Sequence, residues 1–310
     1  MAAAKWTSEA MGSQAGRTVL ITGANSGIGY QAALELARHG ARVLLGCRSA
    51  AKGEAARQRI LKEVPGATVE IVLLDMASLA SIRSFAEAFV SSGERIDVLV
   101  NNAGVMALPT RELTADGFER QFGTNHLGHF ALTGRLMPAL ERAEAPRVVT
   151  VASLAHRSGK MVWDDLQGER NYSPWGAYNA SKLANILFAR ELDRRAREAG
   201  SKAGSKVVSV AAHPGLSKTN IADYGTDLKT RMVRIFGAML MQSDAMGALP
   251  TLYAATSPEV RGGTYIGPDG MGEMKGYPTV VKPRPQALNE ADGRRLWEVS
   301  EKLTGVVYPF

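Results

Sequence analysis

The amino-acid sequence predicts an α/β fold: a doubly wound parallel sheet with helices on both faces. Three observations carry this expectation. Short, nearly continuous apolar runs recur along the chain, separated by stretches of helical character, as strands buried on both faces require. A glycine-rich turn directly follows the first run, where such folds pass from strand to helix. Composition does not shift anywhere along the 310 residues, so one domain accounts for the pattern.

In chain order, residues 17–22 (RTVLIT) read as a buried strand and 27–39 as the helix after it. Residues 41–47 (ARVLLGC) form a second strand, with Ser49 placed to cap the next helix. Residues 68–74 and 97–100 are strands three and four, and 114–142 hold helical material. Residues 147–152 (RVVTVA) are strand five, 175–199 a long helix, 206–212 strand six and 263–266 a seventh. Right-handed crossovers between such strands give a Rossmann-like domain. We place it at 16–310, after a flexible tail at 1–15, with a lid insertion at about 216–243. A turn-rich C-terminal extension from about 268 to 310 ends in a helix at 289–303.

Composition narrows the function. Charged residues make up 22% and apolar residues 45%, which excludes a disordered chain. A single cysteine, Cys47, excludes an internal disulfide framework and a multi-cysteine metal site. The net charge of +7 is dispersed among acids, so it marks a solvated surface with one phosphate pocket, not a nucleic-acid interface. No apolar run is long enough for a membrane span, and no signal peptide is visible. We expect a cytoplasmic protein without stable membrane insertion, and a homo-oligomer is compatible with the sequence.

The first βα turn contains Gly23, Asn25, Ser26, Gly27, Ile28 and Gly29. Glycines let a backbone approach a phosphate, and the helix N-terminus turns its N–H groups toward the anion. Strand two ends at Cys47-Arg48. An acid there would accept from a ribose hydroxyl, whereas Arg48 can pair with a 2′-phosphate, so NADP(H) is expected. Arg48 can also be a plain surface arginine. Asp75, followed by Met76, ends strand three on the same edge, where a carboxylate can accept from an adenine amine or simply shape its loop. Asn102, Ala103 and Gly104 close strand four. Tyr178 and Lys182 sit four apart on one helix face, where a cation can favour a phenolate. Ser153 closes strand five, and Asn125 lies between strands four and five. His126 and His129 have a metal-compatible spacing, but no third ligand is evident and no metal is expected.

Together, TGANSGIG (22–29), NNAG (101–104), Asn125, Ser153, YNASK (178–182) and His213-Pro214-Gly215 resemble the short-chain dehydrogenase/reductase family. GCRSAAKGEAA (46–56), TNHLGHFALT (124–133) and RRLWEVS (294–300) resemble its retinol dehydrogenase-like branch. The resemblance implies that Tyr178 is the general acid in carbonyl reduction. Lys182 would lower the tyrosine pKa and bind the nicotinamide ribose, and Ser153 would hold the substrate oxygen. Asn125 would hold a proton-relaying water. Pro214 and Gly215 would border the nicotinamide, and Thr219 would bind its carboxamide. The family's membrane-bound retinol dehydrogenases begin with an apolar anchor that this sequence does not show, which favours a soluble enzyme. The expected activity is NADP(H)-dependent hydride transfer between a carbonyl and an alcohol, on a lipophilic or aromatic small molecule. The alternative is a catalytically silent NADP(H)-binding regulator.

Overall fold

The structure, a computed structural model, describes residues 5–216 and 241–310. Thr219 and positions 217–240 of the expected lid lie outside the described residues.

The described strands are β1 Thr18–Thr22, β2 Arg42–Cys47, β3 Val69–Leu73, β4 Val98–Asn101, β5 Arg147–Val151, β6 Val208–Ala212, β7 Tyr265–Pro268 and β8 Pro278–Val281. The helices are α1 Gly27–Arg38, α2 Ala50–Glu63, α3 Leu79–Ser91, α4 Arg120–Phe122, α5 Gly128–Glu141, α6 Pro174–Ala203, α7 Asp244–Thr256 and α8 Glu290–Thr304. A π-helical turn, Gly123–Leu127, joins α4 to α5. One sheet forms in the order β3-β2-β1-β4-β5-β6-β7-β8, parallel except where β8 runs against β7. The winding direction reverses between β1 and β4, and ligands of such sheets bind beyond the carboxyl ends of the strands at that reversal.

The apolar runs explain this arrangement, because alternate residues of each strand serve opposite layers. Val19, Ile21, Val43 and Leu45 are buried in one core with Ala32 and Leu36 of α1 and Leu252 of α7. Leu20, Leu44 and Leu99 are buried in the other with Ile82 of α3 and Leu136 of α5. Ser49 caps α2 by accepting from the Lys52 N–H at 3.4 Å. No helix among the described residues is long and apolar enough to cross a membrane.

The structure corrects two expectations. Residues 5–15 of the expected tail lie against the domain: Trp6 meets Tyr253 edge-on at 5.2 Å, Met11 is buried, and the Gln14 N–H donates to the His39 carbonyl at 2.8 Å. Two apolar side chains suffice to seat an otherwise small, polar segment. The turn-rich extension also contains a strand, β8, which opens on Pro278 at the sheet's edge, where proline is tolerated. Behind it, α8 buries Trp297 against Phe130 and Tyr308, and the Tyr308 hydroxyl donates to the Phe130 carbonyl at 2.7 Å.

Candidate active site

The turn after β1 fits a close-approaching anion. Ser26 caps α1 without spending its hydroxyl on the helix, and the first amides of α1 have no intrahelical acceptor. A side chain on Gly23 would come within 2.9 Å of the Ala103 Cα. One on Gly29 would meet the Gly23 carbonyl at 2.6 Å and the Asn102 amide nitrogen at 2.5 Å. The backbones of the first and fourth strand ends therefore touch here. Thr22 ties them: its hydroxyl accepts from the N–H groups of Asn102 and Ala103, both at 2.9 Å. The Asn102 side chain donates back to the Thr22 carbonyl at 2.8 Å. Asn102 and Ala103 are thus the latch of the glycine turn. Sequence reading named Thr22 only as the start of a pattern.

Arg48 is exposed at the carboxyl end of β2 and has no side-chain partner among the described residues. Cys47 before it is buried, so Arg48 is the first side chain past the strand to face solvent. Asp75 is partly buried and accepts from the Ala77 N–H at 2.9 Å, which stiffens its own loop. The Met76 side chain is buried in the core, so only its backbone could meet a cofactor.

Ser153, Tyr178, Lys182 and Asn125 converge. Ser173 caps α6 with Pro174 at its start, which brings Tyr178 into the helix's second turn. Ser153 lies beside the Tyr178 phenol, and its hydroxyl accepts from the Ala155 N–H at 3.2 Å. Burial pushes the phenol above its ordinary pKa, and the neighbouring Ser153 hydroxyl pulls it back in part. The Lys182 ammonium lies 5.8 Å from the centre of the Tyr178 ring and donates to the Val151 carbonyl at 3.1 Å. Burial without a neighbouring carboxylate lowers it to about 8. Burial is the larger influence on each group: it pushes the phenol up and the ammonium down. Gly104 lies between Asn125 and Lys182; a Cβ there would be 3.0 Å from Asn125 Oδ1 and 3.6 Å from Lys182 Nζ.

Asn125 sits in the π-helical turn, and both polar ends of its side chain are hydrogen-bonded. Its Nδ2 donates to the Val105 carbonyl and to Ser181 Oγ, each at 2.9 Å, and its Oδ1 accepts from the Val105 N–H at 2.8 Å. Its carbonyl accepts from His129 Nδ1 at 2.9 Å. A proton therefore sits on Nδ1, and His129 Nε2 accepts from the Thr22 hydroxyl at 2.9 Å. This neutral imidazole links Asn125 to the glycine turn. The His126 ring points elsewhere and pairs with Ser300 Oγ at 2.8 Å, so the two histidines serve separate contacts.

Burial holds His129 down at about 4, against a reference of 6.5. The unfolded chain therefore binds a proton that the folded chain refuses. Stability from this group is complete above about pH 6.5 and is lost as pH falls toward 4, by about 1.4 kcal/mol per pH unit. Urea unfolding of wild type and His129→Gln between pH 7 and pH 5 should show a steeper acid loss in wild type. Parallel profiles would contradict a neutral His129.

The chain is similar to known proteins in sequence and in fold. A family model described as short chain dehydrogenase matches residues 17–227. Human retinol dehydrogenase 13 is 41% identical over 302 residues, 95% of this chain and 86% of that protein. Human retinol dehydrogenase 14 is 38% identical over 310 residues, 94% of this chain and 87% of that protein. A crystal structure of an uncharacterised protein from Mycobacterium Paratuberculosis is 42% identical, with a TM-score of 0.81 over 99% of this chain and 100% of that one. A short chain dehydrogenase from Shigella flexneri 2a str. 301, solved with NADP, has the same fold at 23% identity, with a TM-score of 0.62 over 81% of this chain and 96% of that one. The glycine turn, the neighbouring Ser153 and Tyr178 and the buried Lys182 thus sit on a chain that these comparisons match nearly end to end: it belongs to the short-chain dehydrogenase family of nicotinamide-dependent oxidoreductases.

Proposed function

We propose that the protein is an NADP(H)-dependent carbonyl reductase/alcohol dehydrogenase acting on lipophilic or aromatic small molecules. The observation that carries this reading is the convergence of Tyr178, the neighbouring Ser153 and the buried Lys182 at the carboxyl edge of the sheet. The bound nicotinamide dinucleotide supplies or takes up the hydride. Ser153 holds the substrate oxygen, and Tyr178 gives it a proton. A phenol held above its ordinary pKa is protonated at neutral pH, which suits the reducing direction. Lys182 reaches the nicotinamide ribose from its buried position. The free hydroxyl of Ser26, the open amides of α1 and Gly23, Asn25, Gly27, Ile28 and Gly29 cradle the pyrophosphate. Arg48 binds the 2′-phosphate, Asp75 meets the adenine, and Pro214 and Gly215 border the nicotinamide.

Trp175 favours an apolar substrate. Its ring is 54% exposed and stands edge-on to Tyr178 at 6.1 Å, so it offers an apolar wall beside the reacting hydroxyl. A panel of aldehydes and ketones with NADPH tests the activity. The kcat/KM should rise with chain length by up to about 4-fold per methylene, the equivalent of ~0.8 kcal/mol. A flat series would remove the lipophilic assignment, and NADPH binding without turnover of any member would overturn the reductase reading.

A further inference from the structure

The turn after β6 is fastened to the loop between β7 and β8. The Gly215 N–H donates to His213 Nδ1 at 3.2 Å, so the proton of this imidazole sits on Nε2. Nε2 donates to Glu273 Oε2 at 3.1 Å. The other carboxylate oxygen pairs with Arg157 Nη2 at 2.8 Å, and Arg157 also donates to the Gly272 carbonyl at 3.2 Å. Arg157 comes from the short helix Leu154–Ser158 that Ser153 caps. His213 is fully buried, and a side chain at Gly267 would collide with its ring. The Leu216 N–H donates to the Met274 carbonyl at 2.7 Å. Gln242 Nε2 donates to the Pro214 carbonyl at 2.6 Å, while its Oε1 accepts from the Gly276 N–H at 3.1 Å.

Glu273 makes these contacts from an unfavourable backbone. Its φ is +60°, a value that only one other non-glycine residue among those described shares in sign. Left-handed backbone favours glycine because it lacks a Cβ. A glycine here would relax the loop and leave His213 without its acceptor. The chain instead keeps a carboxylate, which the contacts to His213 and Arg157 explain.

We propose that Glu273 is a positioning residue for the nicotinamide end of the cleft. Held by Arg157 and acting through His213, its carboxylate fixes the Pro214–Gly215 turn before the dinucleotide arrives. A turn ordered in advance costs less to order on binding. The inference rests on the reading of the cleft as a dinucleotide site. It separates the two halves of that ligand, because among the described residues no hydrogen bond or ion pair joins Arg48 or the end of β2 to the β7–β8 loop.

The test titrates two ligands, NADPH and adenosine 2′,5′-bisphosphate, which carries the adenosine half alone. Glu273→Gly should weaken NADPH by about 10-fold, as expected for loss of a charge-assisted contact. It should leave the bisphosphate within about 2-fold, which also reports an intact fold. Glu273→Gln keeps an oxygen for His213 Nε2–H but loses the charge that Arg157 pairs with, and should fall between wild type and Glu273→Gly for NADPH while leaving the bisphosphate within about 2-fold. Arg157→Ala loosens the same carboxylate from its other side and should reproduce the Glu273→Gly split. Unchanged NADPH affinity in Glu273→Gly, or equal weakening of both ligands in both variants, would overturn the proposal. Wild-type protein that binds neither ligand would overturn the dinucleotide reading itself, and the proposal with it.

Discussion

Tyr178→Phe lowers kcat for carbonyl reduction by roughly 10²- to 10⁴-fold, the usual contribution of a positioned general acid, while NADPH affinity stays close to wild type. The substitution keeps the ring that Trp175 meets edge-on and removes only the hydroxyl beside Ser153. Ser153 cannot substitute as the acid, because an aliphatic hydroxyl is a far weaker acid than a phenol. Lys182 can move a proton, but its ammonium is turned to the Val151 carbonyl. Its lowered pKa of about 8 gives the rate a pH dependence. Well below pH 8 Lys182 keeps its ammonium charge and reduction is on its plateau; above pH 8 that charge is lost and the rate falls. Lys182→Met should abolish the step near pH 8 and lower both kcat and cofactor affinity. Near wild-type kcat in Tyr178→Phe, measured by single-turnover kinetics, would assign the proton to another group.

The residues of this site were legible in the sequence to different degrees, for physical reasons. Ser153, Tyr178 and Lys182 could be read because strand ends and the i, i+4 face of a helix follow from local pattern alone. Their electrostatics could not. Whether Lys182 tunes the phenol depends on the direction of its ammonium and on desolvation, and neither leaves a trace in spacing. The same holds for Asn125, whose side chain is hydrogen-bonded to Val105 and Ser181, partners 20 and 56 residues away. His129 carried a misleading signal: its spacing from His126 suggests a ligand pair, whereas the π-helical turn between α4 and α5 aims the two rings at different partners. The short edge strand β8 was hidden by surrounding glycines and prolines. With it was hidden the loop that presents Glu273 to His213, a contact across 60 residues that no window of local sequence contains.

Arg48→Ala should weaken NADPH binding by roughly 10- to 150-fold and leave NADH nearly unchanged. The range is that of losing a hydrogen bond between charged groups, ~1.5–3 kcal/mol. Arg48 is suited to this task because nothing else among the described residues engages its guanidinium, so no protein contact has to break before a phosphate is bound. In the free protein an exposed arginine contributes little to stability, and unfolding midpoints of the variant should match wild type. The energy appears only when the planar fork meets phosphate oxygens and loses part of its hydration. Salt should narrow the gap between wild type and variant, because screening acts on the charge that Arg48 adds. Isothermal titration with both cofactors at two ionic strengths decides the matter. Equal losses for NADPH and NADH would place Arg48 outside the 2′-phosphate site, and a wild-type preference for NADH would remove the NADP(H) assignment altogether.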